Sequence, residues 1–186
     1  MYLENTNMLS ALVIGVDKLS AFTNPQDVNT GILLGDGAGA VLFGKSKEKK
    51  TYISLIQAEG ENNEILTCKT NEMIQMNGTK VYKYAVTKTV ENIKQLLEKA
   101  QENIEDITYI IPHQSNQKIM KAIASRLKMQ EEKMYTNIEK IGNTFCASIP
   151  IVIDEMLKKE LLKQGEKVIL LGYGGGLNTG SILLEI

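Results

Sequence analysis

Hydrophobic positions along the chain cluster in two ways, as short continuous runs and as longer stretches with a helical period. Residues 11–15 (Ala-Leu-Val-Ile-Gly) form a short apolar, β-branched run, which reads as a buried strand. Residues 31–35 and 38–43 are two more, joined at Asp36-Gly37, a turn signal. Residues 45–50 are charged and predict a solvated turn, and 52–58 alternate well enough for another strand. The irregular polar stretch 61–75 predicts a loop.

Beyond Gly78-Thr79 the period changes. Val81, Ala85, Val86, Val90, Ile93, Leu97 and Ala100 recur at three- and four-residue steps, with Lys and Glu between them, and predict a long amphipathic helix. Residues 107–111 read as a strand ended by Pro112. Two further helices are expected over 116–127 and 148–162, with Pro150 tolerated in a first turn. Strands over 167–171 and 180–186 close the chain around Gly174-Gly175-Gly176. Strands and helices alternate from Val81 onward, which predicts an α/β fold with a mixed, mostly parallel sheet and helices on its faces. Residues 1–10 carry no helix start signal and read as the tail of a helix whose beginning is absent, with Asn7 near its end.

Composition narrows the possibilities. A chain of 186 residues, 43% hydrophobic and 23% charged, is sized and mixed for one globular domain with a sizeable core. With 21 basic and 22 acidic residues there is no general case for nucleic-acid binding. No apolar run has the length of a membrane span, and the N-terminus lacks the pattern of a signal peptide. Two cysteines, Cys68 and Cys146, make neither a metal pattern nor a disulfide framework, so a reducing cytoplasm is expected. A single histidine excludes a His-rich metal site.

Three segments carry candidate chemistry. His113, in Ile110-Ile-Pro-His-Gln-Ser-Asn116, sits between a predicted strand and a predicted helix. Ligands of parallel α/β sheets gather at such junctions, although a plain helix cap fits the residue equally well. Asn143, in Ile141-Gly-Asn-Thr144, again stands in a polar turn before a helix, where Asn is most often an N-cap. The triple glycine 174–176 lets backbone approach a ligand and aim N–H groups at an oxyanion, or else forms a flexible hairpin. It is not a dinucleotide fingerprint, because the spacing differs and a strand follows it.

Taken together, these segments resemble the 3-oxoacyl-ACP synthase III (ketoacyl synthase III) family of the thiolase-like superfamily. The supporting stretches are 11–17, Gly35-Asp-Gly-Ala-Gly-Ala40, Met76-Asn-Gly-Thr79 with the helix behind it, His113-Gln-Ser-Asn116, Gly142-Asn-Thr144 and the terminal glycine loop. The resemblance implies the C-terminal half of the thiolase-like fold with a five-stranded sheet, the N-terminal half and its nucleophilic cysteine being absent. The His-with-Asn pairing is similar to that of the type III enzymes, which prime with acyl-CoA; elongating ketoacyl synthases place two histidines here.

The implied reaction is decarboxylative Claisen condensation of an acyl-CoA primer with malonyl-ACP, giving 3-oxoacyl-ACP without a cofactor. His113 and Asn143 would hold the malonyl thioester oxygen, and the Gly175 N–H would form half of an oxyanion hole. Gly78 and Asn116 would line the pantetheine tunnel. Lys83, Lys118 and Arg126 would meet the acidic acyl carrier protein, or else belong to a solvated helix face. The implied partners are acyl carrier protein, acyl-CoA, the missing N-terminal half and a second copy in a homodimer, with no nucleic acid or membrane. Phe145 and Cys146 stand where the family usually has Ser and Ala, and Thr179 where many members carry Trp. Neither cysteine is expected to be the nucleophile: Cys146 reads as a buried structural residue and Cys68 has no activating base nearby in sequence. Two alternatives stay open, a non-catalytic module binding carrier protein or a partner, and an acyltransferase of specialised metabolism.

Overall fold

The computed structural model describes residues 7–28, 30–48 and 50–186, the side chains of 61–63 aside. Strands β1 (Ser10–Asp17) and β2 (Gly37–Gly44) pair antiparallel along their full length. They form a two-stranded ribbon apart from the main sheet. Of the helical tail expected over 1–10, residues 1–6 lie outside the described residues, and Ser10 already belongs to β1.

The strand expected over 31–35 is not formed. These residues make turns, with Gly31 N–H donating to Asp27 O at 2.6 Å and Leu34 N–H to Thr30 O at 3.1 Å. A short apolar run does not distinguish strand from helical turn, and here the local i→i−4 bonds prevail. Only Leu34 makes a β-bridge, parallel to Asn143. Asp36 therefore ends no hairpin; its carboxylate accepts from the Ser20 N–H at 2.8 Å and the Ser20 hydroxyl at 2.7 Å.

The main sheet adds β3 (Tyr52–Ala58), while β4 (Leu66–Thr67) and β5 (Gln75–Met76) form a separate two-stranded patch. Helix α1 (Gly78–Ala100) follows, its N-terminal N–H groups capped by Asn77, whose side chain accepts from Lys80 N–H. Then come β6 (Tyr109–Pro112), α2 (Gln117–Leu127), the single turn α3 (Ile138–Ile141), α4 (Ser148–Lys158), β7 (Lys167–Gly174) and β8 (Asn178–Glu185). Helix α4 stops four residues short of the expected end because Glu160 takes a left-handed conformation and Leu161 N–H bonds back to Met156 O.

The sheet is mixed, in the order β3-β8-β7-β6, but among the described residues it has four strands, not five. Only β6–β7 is parallel, so the expectation of a mostly parallel sheet is corrected. The helix-bearing crossover through α2, α3 and α4 does join a parallel pair. β7 and β8, however, are linked by three residues, too few for a crossover, and must form a hairpin.

Helices cover both faces. On one, Ala85, Ile93 and Leu96 of α1 and Ile123 of α2 pack on Ile110, Ile169, Leu171 and Leu183, all fully buried. On the other, Val152 and Met156 of α4 pack on Ile111 with Leu170. The strand period of two sends Ile110 and Ile111 to opposite faces. The ribbon lies on the start of α4 with almost no gap. A Cβ on Gly15 would stand 2.4 Å from Cys146 O, and one on Gly39 would stand 2.7 Å from Pro150 Cβ. No helix among the described residues is long and apolar enough to cross a membrane.

Candidate active site

A cavity of about 720 Å³ opens between the ends of β6 and β7, the N-terminal ends of α1 and α2, and the turn before α4. His113, Asn143, Gly175, Gly78, Asn116 and Lys118 all line it. Lys83 and Arg126 do not; both are exposed on the surface, Arg126 reaching Thr87 Oγ1 at 3.5 Å.

His113 follows the last residue of β6, and its N–H continues the ladder to Leu171 O of β7 at 2.7 Å. Its ring meets Tyr173 and Phe145 edge-on, with centroids 5.6 and 6.5 Å away, and Nδ1 lies 2.7 Å from Ser148 Oγ. Burial pushes the imidazole pKa down to about 4, more than offsetting the pull of the Phe145 carbonyl and Asp17 toward protonation. The ring is therefore neutral near pH 7.

Asn143 is 6% exposed and its amide orientation is fixed. Oδ1 accepts from Phe145 N–H at 3.1 Å, so the NH2 group is the free end, touching Ser115 O only at 3.4 Å. Its backbone bonds both ways with the 31–35 turn: Asn143 N–H to Leu33 O and Gly35 N–H to Asn143 O, each 2.9 Å. Gly142 makes this approach possible with φ +76°, a conformation that favours glycine. Gly175, which also lines the cavity, begins the β7–β8 turn, which is held by Asn178 Nδ2 to Gly175 O at 2.9 Å and Tyr84 OH to Leu177 O at 2.5 Å. A neutral imidazole and a primary amide converging from separate elements are suited to receive a carbonyl oxygen that gains negative charge.

Two family models match the chain. The one described as 3-oxoacyl-[acyl-carrier-protein (ACP)] synthase III C terminal covers residues 97–186, and the one described as 3-oxoacyl-[ACP] synthase III covers residues 1–61. The chain belongs to the 3-oxoacyl-ACP synthase III family. It is 38% identical to beta-ketoacyl-ACP synthase III of Clostridium novyi over 99% of its own length and 61% of that protein. Against beta-ketoacyl-ACP synthase III 1 of Halalkalibacterium halodurans it is 42% identical, over 99% of its length and 59% of that protein. The crystal structure of 3-oxoacyl-ACP synthase III from Aquifex aeolicus superimposes with a TM-score of 0.95 at 37% identity, covering all of this chain and 60% of that one. The chain thus spans about three fifths of the length of these synthases.

Several features of this synthase-family site were not foreseen. Cys146 is exposed, not buried. Both its N–H and its thiol donate to Asp17 Oδ2, at 2.9 and 2.7 Å, because the ribbon brings the end of β1 beside the turn before α4. Desolvation, followed by that carboxylate, raises the thiol pKa, which keeps the sulfur protonated and unsuited to nucleophilic attack. Cys68 is exposed too, bonding only Glu72 O at 3.5 Å.

Gln114 was not singled out either, yet it is 1% exposed and fully used. Its Nε2 donates to Pro112 O and Tyr135 O, and its Oε1 accepts from Asn137 N–H. Asn137 in turn donates to Glu155 on α4, whose carboxyl pKa is pushed down to about 2, chiefly by the Lys159 hydrogen bond. This network ties the His113 loop to α4. Tyr173 is likewise tied down, its hydroxyl bonded to Ser115 Oγ. Its phenol pKa is raised by burial.

Proposed function

We propose that this chain carries the decarboxylation site of a priming condensing enzyme, which joins an acyl-CoA primer to malonyl-ACP and releases 3-oxoacyl-ACP. The observation that carries the reading is that neutral His113, orientation-locked Asn143 and Gly175 line one cavity. In the proposed reaction the bond from the malonyl α-carbon to its carboxylate breaks and carbon dioxide leaves. The electron pair becomes a thioester enolate whose oxygen is held by Asn143 Nδ2 and His113 Nε2. The enolate carbon attacks the carbonyl of an acyl-cysteine, the resulting oxyanion receiving the Gly175 N–H. Collapse expels the cysteine thiolate and leaves the 3-oxoacyl chain on the carrier. Removing one such donor costs about 10²–10³ in rate.

The acyl-bearing cysteine comes from a segment outside these 186 residues, because the Cys146 thiol is bound to a carboxylate and Cys68 bonds only a backbone carbonyl. The ribbon supports this. Leu12, Ile14, Val16 and Leu42 share its outer face, each 59–68% exposed, and an apolar face of that kind suits coverage by the missing half. Gly78 and Asn116 then line a pantetheine path, and Lys118 at its mouth, with Lys83 and Arg126 outside, meets an acidic carrier protein. The complete protein acts in the cytoplasm as a homodimer.

The 186-residue chain alone is expected to form no 3-oxoacyl-ACP from acyl-CoA and malonyl-ACP, and to do so once the segment bearing the nucleophile is supplied. Turnover by the isolated chain that survives replacement of both cysteines would contradict the reading.

A further inference from the structure

Whether His113 Nε2 carries a proton is decided on the other side of the ring. Ser148, 2% exposed at the start of α4, places its Oγ 2.7 Å from Nδ1. A serine hydroxyl offers one proton and two lone pairs. Three groups surround this one. The Gln114 N–H at 3.3 Å can only donate, the Phe145 carbonyl at 2.7 Å can only accept, and Nδ1 can do either. The hydroxyl proton therefore has two destinations.

Sent to Phe145 O, it leaves Oγ free to accept from both the Gln114 N–H and an Nδ1–H. Three bonds form and Nε2 is bare. Sent to Nδ1, it forces the imidazole proton onto Nε2, and only two bonds form at Oγ. Phe145 O is not orphaned by the second arrangement, since it also accepts the Ser148 backbone N–H. Both arrangements are thus fully satisfied, and they differ by one hydrogen bond.

We propose that Ser148 is a positioning residue whose hydroxyl sets the tautomer of His113: Nδ1–H in the resting chain, and Nε2–H once a carbonyl oxygen arrives from the cavity. The second half rests on the cavity being a thioester site. Charge is conserved in the switch: Nε2 takes up one proton from cavity water as Nδ1 gives one up, so the net change is the shift of a single proton from one ring nitrogen to the other. Protonation of the whole ring does not substitute for it, because burial holds the imidazole neutral near pH 7. Without the hydroxyl, an Nε2–H ring would turn a bare Nδ1 toward the Phe145 carbonyl, two acceptors facing each other.

The chain has a single histidine, so 15N-histidine labelling of the untagged protein reports one imidazole. At neutral pH the resting chain should show Nδ1 protonated and Nε2 in the unprotonated range. A proton on Nε2 at rest overturns the proposal. In the complete enzyme with a non-decarboxylating malonyl thioester analogue, the proton should move to Nε2 in the wild type and in Ser148→Thr. Ser148→Ala should keep Nδ1–H, and its condensation rate should fall about 10²-fold. An unchanged rate in Ser148→Ala, or one tautomer with and without analogue, overturns it. Should the wild-type enzyme not condense at all, the functional reading falls, and the resting tautomer alone decides the role of Ser148.

Discussion

Strands β1 and β7 are both eight residues long and mostly apolar, yet they end in opposite surroundings. In β7, Val168, Ile169 and Leu171 are fully buried between helices on two faces. In β1, Leu12, Ile14 and Val16 are 59–62% exposed, because they point away from the face that lies on α4 and nothing described covers them. An apolar run states that a strand wants cover; the layers around it decide whether cover is present. The candidate site lies where the two regions meet, with His113 on the main sheet and Asp17 at the end of the ribbon.

The largest effect expected from that contrast is in the closed region. Leu96→Ala removes a fully buried side chain between α1 and the sheet and should lower stability by about 2–5 kcal/mol in denaturant titration. A loss below about 1 kcal/mol would mean that this core is not the chain's main source of stability.

Next comes acid, acting at the junction. The folded pKa of His113 lies near 4, below its unfolded value of 6.5, so the unfolded chain binds the proton first as pH falls. Stability should therefore be complete above pH 6.5 and decline between 6.5 and about 4, by about 3 kcal/mol. His113→Ala should abolish that phase, the chain having no other histidine. Glu155 acts in a separate window, its support being lost only as pH falls from 4.5 toward 2.

Gly39→Val probes the covered face of the ribbon. Its Cβ would stand 2.7 Å from Pro150 Cβ, and overpacking of this kind costs about 1–3 kcal/mol. Smallest of all, Ile14→Ser on the open face should change the stability of the chain by no more than about 0.5 kcal/mol while reducing self-association in light scattering. A penalty as large as that of Leu96→Ala would show that the outer face is already covered in the isolated chain.

Helices α1 and α2 were legible in the sequence because burial on one side imposes a 3.6-residue period that no loop imitates. His113, Asn143 and Gly175 were each ambiguous by local pattern and were joined into a set only by the family resemblance; the fold brings them to one cavity. Strand direction was not legible: the antiparallel fit of β3 onto β8 depends on a partner more than a hundred residues away. The 31–35 turn was misread for a related reason. Its role, bonding Asn143 from both backbone directions, is invisible until the chain closes. Gln114, Ser148 and Glu155 went unnoticed because buried hydrogen-bond networks leave no local pattern, and Cys146 was misjudged because Asp17, its partner, lies 129 positions away.

In the function proposed above, His113 and Asn143 act on the malonyl thioester and not on primer loading. In the complete enzyme, malonyl-ACP decarboxylation and acyl transfer from acyl-CoA should be measured separately for Asn143→Ala. Decarboxylation should fall by about 10²–10³ with acyl transfer left near the wild-type rate. Equal losses in both steps, or none in decarboxylation, would contradict that proposal.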